Sequence, residues 1–268
     1  FNGKAGCSAF VQPSASPSAC TTIAFAETPD GPIMGKTSDI EDFQRPYYMI
    51  QHINPTKGHK LVSIGKVGSS KTEIGMNDKG LVIGTGSAKP LDQMGSNGIE
   101  RMTLVRLALQ YCSDVQETIE FLEGYELVSL GLYFVIMDAK GNARIIEKGR
   151  TNQAVRSPDE KGILYATNFY YTVEMAPYMD TSAAYYQNAL ERFITLGRLC
   201  RTHKPELGVS SMTAILKDHS PYGPICAHFP EIGLCSFFGY IVRPRERSFM
   251  ITKGYPCETE FSKIAFHG

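Results

Sequence analysis

Hydrophobic residues in the first third of the chain fall in short runs separated by glycine-bearing turns, a pattern typical of β-hairpins. The segments CTTIAFAE (residues 20–27) and PIMGKT (32–37) flank the turn PDG and predict the first hairpin. The segments YYMIQHI (47–53) and KLVSIGKV (60–67) predict two further strands, and residues 72–86 predict a second hairpin around the turn DKG. This part of the chain is therefore expected to be largely β-sheet.

Apolar residues then recur every three or four positions, which predicts α-helices. This spacing covers residues 100–112, 114–125 and 182–203, and residues 210–219 predict a shorter helix. Ser113 is a candidate N-cap for the second helix. The positions expected to face the core in the first and third helices are Met102, Val105, Leu109, Cys112, Ala189, Phe193, Leu196 and Cys200.

Strand-like segments return between and after these helices. Residues 132–149 predict a third hairpin, residues 162–171 a further strand region, and residues 234–255 a final hairpin. Hairpins and helices therefore occur in separate blocks and do not alternate one by one. Such blocks are typical of α+β proteins with antiparallel sheets, and this is the predicted fold class.

The composition is that of an ordinary globular protein, with 43% hydrophobic residues in a chain of 268. Lys and Arg total 27, as do Asp and Glu, so the formal net charge is zero. This balance argues against nucleic acid or an anionic membrane as the main partner. The sequence also contains no run of about 18 apolar residues, so it predicts no membrane span. Residues 1–19 are rich in Ser, Ala, Gly and Pro and are predicted to be a flexible leader or propeptide arm before a folded domain over 20–268.

Cysteine use indicates an enzyme rather than a disulfide scaffold, because the chain has seven cysteines and no CxxC motif. Cys20 lies where the leader meets the first predicted strand. A thiol is nucleophilic as the thiolate, so it needs a nearby base. If the chain were cut between Ala19 and Cys20, the new α-amine, with a pKa of about 7.7–8.0, would be that base. Cys7 has no following strand with an aspartate at a suitable offset and is the weaker candidate.

Six segments resemble, in the same order, motifs of the cysteine N-terminal nucleophile (Ntn) hydrolases. They are CT at 20–21 with GKTSDIE at 35–41, GMNDKGL at 75–81, ATNF at 166–169, ERF at 191–193, DH through PICAH at 218–228, and TKGYPC at 252–257. Two branches of this superfamily are relevant. One contains the acyl-coenzyme A:6-aminopenicillanic-acid acyltransferases (isopenicillin-N acyltransferase and its relatives), and the other contains choloylglycine hydrolase and penicillin V acylase. The last two segments favour the acyltransferase branch.

The resemblance implies a four-layer αββα sandwich in which residues 20–268 form the catalytic domain. It implies that Cys20 is the nucleophile and that Asp39 orients its α-amine or its thiol. Asn168 matches the asparagine whose side-chain amide donates to the oxyanion. Arg192 matches a helix arginine near the nucleophile, which could form a buried charge pair with Asp39.

Three further residues are weaker candidates for the site. Lys36 stands where the bile-salt branch has arginine, and lysine cannot reproduce the two-pronged hydrogen bonding of a guanidinium. The second oxyanion asparagine of that branch is absent near Ser87, so the donor there would be the Ser87 hydroxyl or a backbone N–H of the same segment. Phe169 follows Asn168 directly and begins an aromatic run that suits an acyl chain or an aromatic acid.

The implied reaction cleaves a C–N amide bond other than a peptide bond through a thioester on Cys20, and the acyl group then passes to water or to an amine. The expected partners are small acyl amides or acyl thioesters, and no metal or organic cofactor is expected. Activation is predicted to occur by autocatalytic cleavage between Ala19 and Cys20. Homo-oligomerisation stays open, and a secreted or periplasmic location is favoured over a cytoplasmic one.

Two other classes of protein stay open: a papain-like or other hydrolase with a Cys–His pair, and a binding protein that has lost catalysis on the same fold. The sequence also contains four residues with zinc-type side chains, but their spacing is not a usual zinc-finger pattern. They are His219, Cys226, His228 and Cys235. The sequence therefore predicts no metal site, and Cys226, Cys235 and Cys257 are equally compatible with buried or disulfide-bonded residues.

Overall fold

The computed structural model of the protein describes residues 19–88, 91, 97–128, 131–182, 186–202, 207–229 and 234–266. Cys7 and the leader predicted over residues 1–19 lie outside these ranges, apart from Ala19. Within the described ranges, no helix is both long enough and apolar enough to span a bilayer.

The described part of the chain forms short strands and four α-helices. The strands are β1 (Ala19–Phe25), β2 (Ile33–Ile40), β3 (Tyr48–Ile53), β4 (Leu61–Lys66), β5 (Ile74–Asn77), β6 (Val82–Ser87), β7 (Leu132–Met137), β8 (Ala143–Lys148), β9 (Gln153–Arg156), β10 (Ile163–Ala166), β11 (His228–Phe229), β12 (Leu234–Arg243), β13 (Ser248–Ile251) and β14 (Ser262–Ile264). The helices are α1 (Arg101–Tyr111), α2 (Val115–Glu123), α3 (Tyr186–Thr202) and α4 (Val209–Leu216).

The strands form two antiparallel sheets of seven strands each. The first sheet has the order β10-β1-β2-β12-β13-β14, with β11 paired to β12, and the second has the order β3-β4-β5-β6-β7-β8-β9. β1 and β2 are central in the first sheet, and every one of their residues is buried. A strand that is covered on both faces has a continuous rather than an alternating pattern of buried positions, and this agrees with the sequences of both strands.

Three clusters of buried side chains separate the layers. Between the two sheets, Met34 and Tyr240 of the first sheet pack in one cluster with Val62 and Val135 of the second. A second cluster joins α1 and α2 to the outer face of the second sheet, and a third joins α3 and α4 to the outer face of the first. The order helix, sheet, sheet, helix confirms the predicted α+β class and the four-layer αββα sandwich.

The predicted helices and hairpins are present, with differences at their ends and edges. Asp114, not Ser113, is the N-cap of α2, because its carboxylate accepts a hydrogen bond of 3.0 Å from the Glu117 amide. The Ser113 amide instead donates to the Glu117 carboxylate at 2.7 Å. Met102 lies in the first turn of α1 and is only half-buried. The sequence pattern does not predict β9, β11 and β14, which are four, two and three residues long.

Candidate active site

Cys20 is the second residue of β1 and lies inside the first sheet. In the antiparallel register with β2, Cys20 pairs with Ser38 and Ala19 pairs with Asp39. Cys20 is only 7% exposed. This position brings the Ala19–Cys20 peptide bond next to the polar residues at the end of β2.

The ammonium group of Lys36 is buried and lies beside the thiol of Cys20. Its Nζ is 3.5 Å from Sγ of Cys20, and it donates hydrogen bonds to the Ser38 hydroxyl at 2.6 Å and to the Thr37 carbonyl at 3.2 Å. It also forms an ion pair of 2.5 Å with Oε1 of Glu73, and the Ser38 hydroxyl donates to the same oxygen. Lys36 on β2 therefore places a cation beside the thiol, and the carboxylate of Glu73, the residue before β5, compensates the charge of that cation.

Burial raises the pKa of the Cys20 thiol; the Lys36 charge opposes this effect, while the Glu73 and Asp39 carboxylates add to it. Burial lowers the pKa of Lys36, but the charges of Cys20 and Glu73 outweigh it, so the pKa of Lys36 lies above its ordinary value. Opposite charges favour each other's ionised forms, and a carboxylate disfavours a nearby thiolate. The Lys36 ammonium therefore favours the thiolate, while burial and the two carboxylates favour the protonated thiol.

Asn168 and Arg192 hold the backbone of Cys20. The Cys20 N–H donates to Oδ1 of Asn168 at 2.7 Å. The guanidinium of Arg192, on α3, donates to the Cys20 carbonyl, to the Thr21 hydroxyl and to Oδ1 of Asn168, each at 2.8 Å. The Tyr133 hydroxyl, on β7, donates to the Cys20 carbonyl at 3.2 Å. Both peptide groups that flank the Cys20 side chain therefore have fixed partners.

The segments that carry Ser87 and Phe169 meet at Asn168. Nδ2 of Asn168 donates to the Ser87 carbonyl at 2.7 Å, so the end of β6 is joined to the site through its backbone. Phe169 is buried in a small apolar cluster that includes Ala88 and Ala189. The fold thus brings Ser87 to the residues around Cys20 and places Phe169 in the apolar cluster that adjoins Asn168.

Asp39 contacts Ser236 rather than Arg192. The Ser236 hydroxyl donates to Oδ1 of Asp39, and Ser236 lies directly opposite Asp39 on β12. Among the described residues, the charge pair suggested between Asp39 and Arg192 is not formed, because the guanidinium is committed to oxygen atoms of other residues. Burial raises the pKa of Asp39, although the nearby Arg192 charge and the Ser236 hydrogen bond act in the opposite direction.

Three residues that contact the site were not singled out by the sequence: Glu73, Tyr133 and Ser236. The sequence does contain an indication for Glu73, because an acidic residue directly before an apolar strand is unusual. The structure shows that Glu73 is buried at this position, directly before β5. Tyr133 and Ser236 carry no local signal, because each lies in a strand among apolar residues. Only the pairing of strands and the stacking of the two sheets bring them to Cys20 and Asp39.

The sulfur of Cys20 has no histidine partner within hydrogen-bonding distance in the described part of the chain, where its side-chain contact is Lys36. Cysteine–histidine contacts do occur elsewhere. Nε2 of His228 lies 3.5 Å from Sγ of Cys226 and 3.4 Å from Sγ of Cys257. The geometry at Cys20 therefore gives no support to a papain-like Cys–His pair.

A cavity of about 760 Å³ is lined by residues around β3 and by parts of β12 and β13, and Cys20 is not among its lining residues. Its wall is mostly apolar and includes Tyr48 and Phe238, together with the basic residues Arg45 and Lys253. Burial and the negative charges of Glu73 and Cys20 raise the pKa of the Tyr48 hydroxyl. Tyr48 is therefore the residue of the cavity wall whose pKa depends on groups at the thiol.

The profile of the family described as acyl-coenzyme A:6-aminopenicillanic acid acyl-transferase matches residues 26–229 of the chain. This range includes Lys36, Asp39, Asn168 and Arg192. None of the curated proteins matches the chain in sequence.

Several solved structures share the fold at low sequence identity. The Caenorhabditis elegans ortholog of N-acylethanolamine-hydrolyzing acid amidase is 12% identical with a TM-score of 0.60, over 84% of this chain and 93% of that one. A variant of conjugated bile acid hydrolase from Clostridium perfringens is 14% identical with a TM-score of 0.57, over 92% and 97%. Penicillin V acylase from Agrobacterium tumefaciens is 13% identical with a TM-score of 0.58, over 91% and 86%. These similarities confirm the Ntn-hydrolase fold.

Proposed function

The chain belongs to the acyl-coenzyme A:6-aminopenicillanic acid acyl-transferase family, and we propose that it breaks or exchanges non-peptide amide bonds through a thioester on Cys20. Membership of this family makes the chain an amidase or acyltransferase of the Ntn type. One observation carries the finer proposal. Three site residues contact three parts of Cys20: Lys36 contacts its sulfur, Asn168 its nitrogen and Arg192 its carbonyl oxygen, so both reacting atoms and the adjoining peptide group are held.

The first reaction of this site acts on its own chain. Sγ of Cys20 attacks the carbonyl carbon of Ala19, the C–N bond breaks, and the Cys20 nitrogen gains a proton to replace the one that the thiol loses. Water then hydrolyses the thioester, which leaves a carboxylate on Ala19 and a free α-amine on Cys20. The hydrogen bond of 2.7 Å from the Cys20 N–H to Asn168 supports this step, because it holds the leaving nitrogen in place.

After the cut, the α-amine of Cys20 is the base that its own thiol needs. Its ordinary pKa of about 7.7–8.0 leaves part of it neutral at physiological pH. It takes the thiol proton, and the thiolate, stabilised by Lys36, attacks the acyl carbonyl of the substrate. The proton passes to the departing amine, and water or an acceptor amine then attacks the thioester to release the acyl group.

Asn168 is the proposed donor to the oxyanion that forms during both attacks. Its Nδ2 group already lies at the site but donates to the Ser87 carbonyl at 2.7 Å. An oxyanion that binds there would share or replace this hydrogen bond, and a donor of this kind typically contributes a factor of about 10²–10³ in rate. Asp39 is the proposed orienting residue for the α-amine, because it lies opposite Ala19 in the strand register.

The cavity supports an apolar acyl group as the part of the substrate that is recognised. Its volume of about 760 Å³ is within the usual range for small-molecule sites, about 300–1,000 Å³. The names of two structures that share the fold describe hydrolysis of N-acylethanolamines and of conjugated bile acids. We therefore place the substrates of this chain among acyl amides and acyl thioesters with a bulky apolar acyl part.

The test combines the intact mass of the purified chain with turnover of chromogenic acyl amides and acyl thioesters, with and without an acceptor amine. We expect active protein to begin at Cys20. Cys20→Ala should stay uncut and inactive, whereas Cys112→Ala, which changes a buried cysteine on the far side of the second sheet, should stay active. Full activity with the Ala19–Cys20 bond intact would refute the free-amine mechanism, and activity in Cys20→Ala would refute the nucleophile.

A further inference from the structure

We propose that His219, Cys226, His228 and Cys257 bind a structural zinc ion beside the active site. This site goes beyond the proposed acyl chemistry and does not depend on it. It also replaces the sequence-based expectation that the chain has no metal site.

The ligand atoms lie close to the spacing of a tetrahedral site, and two of their distances match it. One nitrogen or sulfur atom from each of the four side chains lies within 4.8 Å of every other. Nε2 of His228 is 3.5 Å from Sγ of Cys226 and 3.4 Å from Sγ of Cys257. Bonds of about 2.3 Å to sulfur and 2.0–2.1 Å to nitrogen at tetrahedral angles put a ligand sulfur and a ligand nitrogen about 3.5 Å apart.

The donor set selects the kind of metal and its role. Thiolates and imidazoles suit zinc and other thiophilic transition metals, whereas magnesium and calcium prefer oxygen ligands. Two cysteines with two histidines is a usual set for structural zinc, in which the protein fills all four positions and leaves none for substrate. Two thiolates also balance the charge of a divalent ion. The cluster is therefore suited to stabilise the fold rather than to activate water.

The backbone fixes three separate segments around the cluster. Cys226 donates its N–H to the Asp218 carbonyl at 3.0 Å, which joins the segment of His219 to that of Cys226 and His228. The third segment is the turn that holds Cys257, where the Glu258 amide donates to the Tyr255 carbonyl at 3.0 Å. The rings of His228 and Tyr255 pack together at 4.0 Å between centroids, with their planes tilted by 33°. The backbone segments that carry the four ligand residues are thus held in place before a metal binds.

The fourth ligand explains why the sequence spacing did not indicate zinc. Cys235, the fourth residue of that pattern, lies on β12 opposite His228 and is buried with Ile40 and Phe237. Cys257 takes its place because the chain returns to the cluster after β13. The ligand pattern is therefore H-x6-C-x-H-x28-C, which no short motif describes.

The proposed ion would stabilise the environment of Asp39. The segment that carries Cys226 and His228 also contains Ala227, whose N–H donates to the Ser236 hydroxyl at 2.8 Å. The Ser236 N–H in turn donates to the Ala227 carbonyl at 2.8 Å, and the Ser236 hydroxyl donates to Asp39. Zinc at the cluster would hold this segment, and through Ser236 it would act as a positioning element for the Asp39 carboxylate.

The competing outcome is a disulfide between Cys226 and Cys257. It uses the same two sulfur atoms, so zinc and the disulfide exclude each other. All described cysteines are free thiols in this structure, which is the state that a zinc site requires. Metal content and thiol state therefore have to be measured on the same sample.

The experiment uses the full chain, purified without a polyhistidine tag from cells grown with zinc. Elemental analysis should give about one zinc ion per chain. Cys257→Ser and His228→Gln should bind zinc at least about tenfold more weakly, as expected on loss of one ligand. Cys235→Ala is the matched control, because it changes the other cysteine of the sequence pattern, and it should keep the metal. Equal zinc content in Cys257→Ser and the unchanged chain would overturn the proposal.

A second measurement needs no variant that could fail to fold. Cobalt(II) exchanged into the unchanged chain should give the ligand-field bands of a tetrahedral ion together with thiolate-to-metal charge transfer. Removal of the metal by a chelator should lower the melting temperature, because ligand binding stabilises the folded state. An octahedral cobalt spectrum, or a metal-free chain whose peptides show a Cys226–Cys257 disulfide, would refute the zinc site.

Discussion

The ammonium nitrogen of Lys36 lies 3.5 Å from the thiol sulfur of Cys20, and both residues are buried. An isolated ammonium at this distance would favour the thiolate. Glu73 weakens that effect, because its carboxylate forms an ion pair of 2.5 Å with the same ammonium. Two acidic groups, the thiol and the carboxyl, therefore share one cation, and burial, which has the largest effect on the thiol, raises its pKa as well.

Replacement of Glu73 by glutamine is expected to lower the pKa of the Cys20 thiol. The Glu73 carboxylate is one of the groups that raise this pKa, and glutamine removes the charge while it keeps a hydrogen-bond acceptor for Lys36. Alkylation of Cys20, followed for its own peptide by mass spectrometry, measures the midpoint of the pH dependence. This midpoint should move to lower pH in Glu73→Gln.

Glu147→Gln is the matched control for this change. Glu147 is also buried and ion-paired, with Arg156 at 2.9 Å, but it is not among the charges that act on Cys20. Breaking a buried pair typically lowers the free energy of unfolding by about 3–5 kcal/mol, so both variants should lose stability. If the alkylation midpoint moved equally in both, the effect assigned to Glu73 would be wrong.

Replacement of Arg192 by lysine is expected to reduce turnover although the charge is kept. The guanidinium reaches the Cys20 carbonyl, the Thr21 hydroxyl and Asn168 at the same time, and a single ammonium cannot reproduce this forked geometry. Charge-assisted hydrogen bonds contribute about 1.5–3 kcal/mol each, and about 1.4 kcal/mol corresponds to tenfold in rate. Loss of one such bond in the transition state therefore predicts a fall of at least about tenfold in kcat.

Arg201→Lys tests whether this effect belongs to the site. Arg201 lies on the same helix but is exposed in its last turn. Its change to lysine should leave the rate of Ala19–Cys20 cleavage and the turnover of an acyl amide close to those of the unchanged chain. Equal losses in the two variants would show a general effect on α3 instead of a specific effect at Cys20.

Substitutions at Asn168 should separate its two hydrogen-bonding roles. Asn168→Asp keeps an oxygen that accepts from the Cys20 N–H and from Arg192, but it loses the Nδ2 donor that now binds the Ser87 carbonyl. Cleavage before Cys20 should therefore be less impaired in Asn168→Asp than in Asn168→Ala. Loss of the oxyanion donor should lower kcat about 10²–10³-fold in both variants.

The measurements for Asn168 are the fraction of cut chain over time, by mass spectrometry, and the kcat of the fully cut fraction. Ser182→Ala is a suitable control, because Ser182 is exposed and its hydroxyl donates a local hydrogen bond to Asp180. Equal impairment of cleavage in the aspartate and alanine variants would contradict an acceptor role for Asn168. An unchanged kcat in Asn168→Ala would contradict the donor role.

Much of the fold follows from local patterns in the sequence. The hairpins over β1–β2 and β5–β6 are set by turns that contain Gly31 and Gly80, each with a positive φ that favours glycine. The helices follow from the spacing of apolar residues, as at Val105 and Leu109. The short strands β9 and β14 were missed because they lie at the ends of the two sheets, where pairing with a neighbour, not local pattern, defines them.

The candidate site was only partly accessible from the sequence. Cys20 and Asp39 lie on neighbouring strands of one hairpin, so their offset is a local signal. Tyr133 lies in the other sheet and Glu73 directly before its strand β5, and their contacts with the Cys20 carbonyl and Lys36 arise only when the sheets stack. The contact of Cys257 with His228 also has no local signal, since the two residues are far apart along the chain and meet only where the chain returns after β13.

Replacement of Asp39 by asparagine is expected to stabilise the chain at neutral pH and to abolish activity. Burial raises the pKa of Asp39 in the folded chain. The protonated carboxyl therefore stabilises the fold below the ordinary aspartate pKa of about 3.9, and this stabilisation is lost as the pH rises through the pKa of Asp39 in the folded chain. Asparagine stays neutral and still accepts from Ser236. In a Cys20→Ala background, which prevents cleavage, Asp39→Asn should raise the melting temperature at pH 7, and the difference should vanish below about pH 3.9. The control is Asp159→Asn, which changes an exposed residue in a turn and should not raise the melting temperature. A lower melting temperature for Asp39→Asn at pH 7 would contradict the prediction, because it would mean that the surroundings of Asp39 favour the ionised carboxylate.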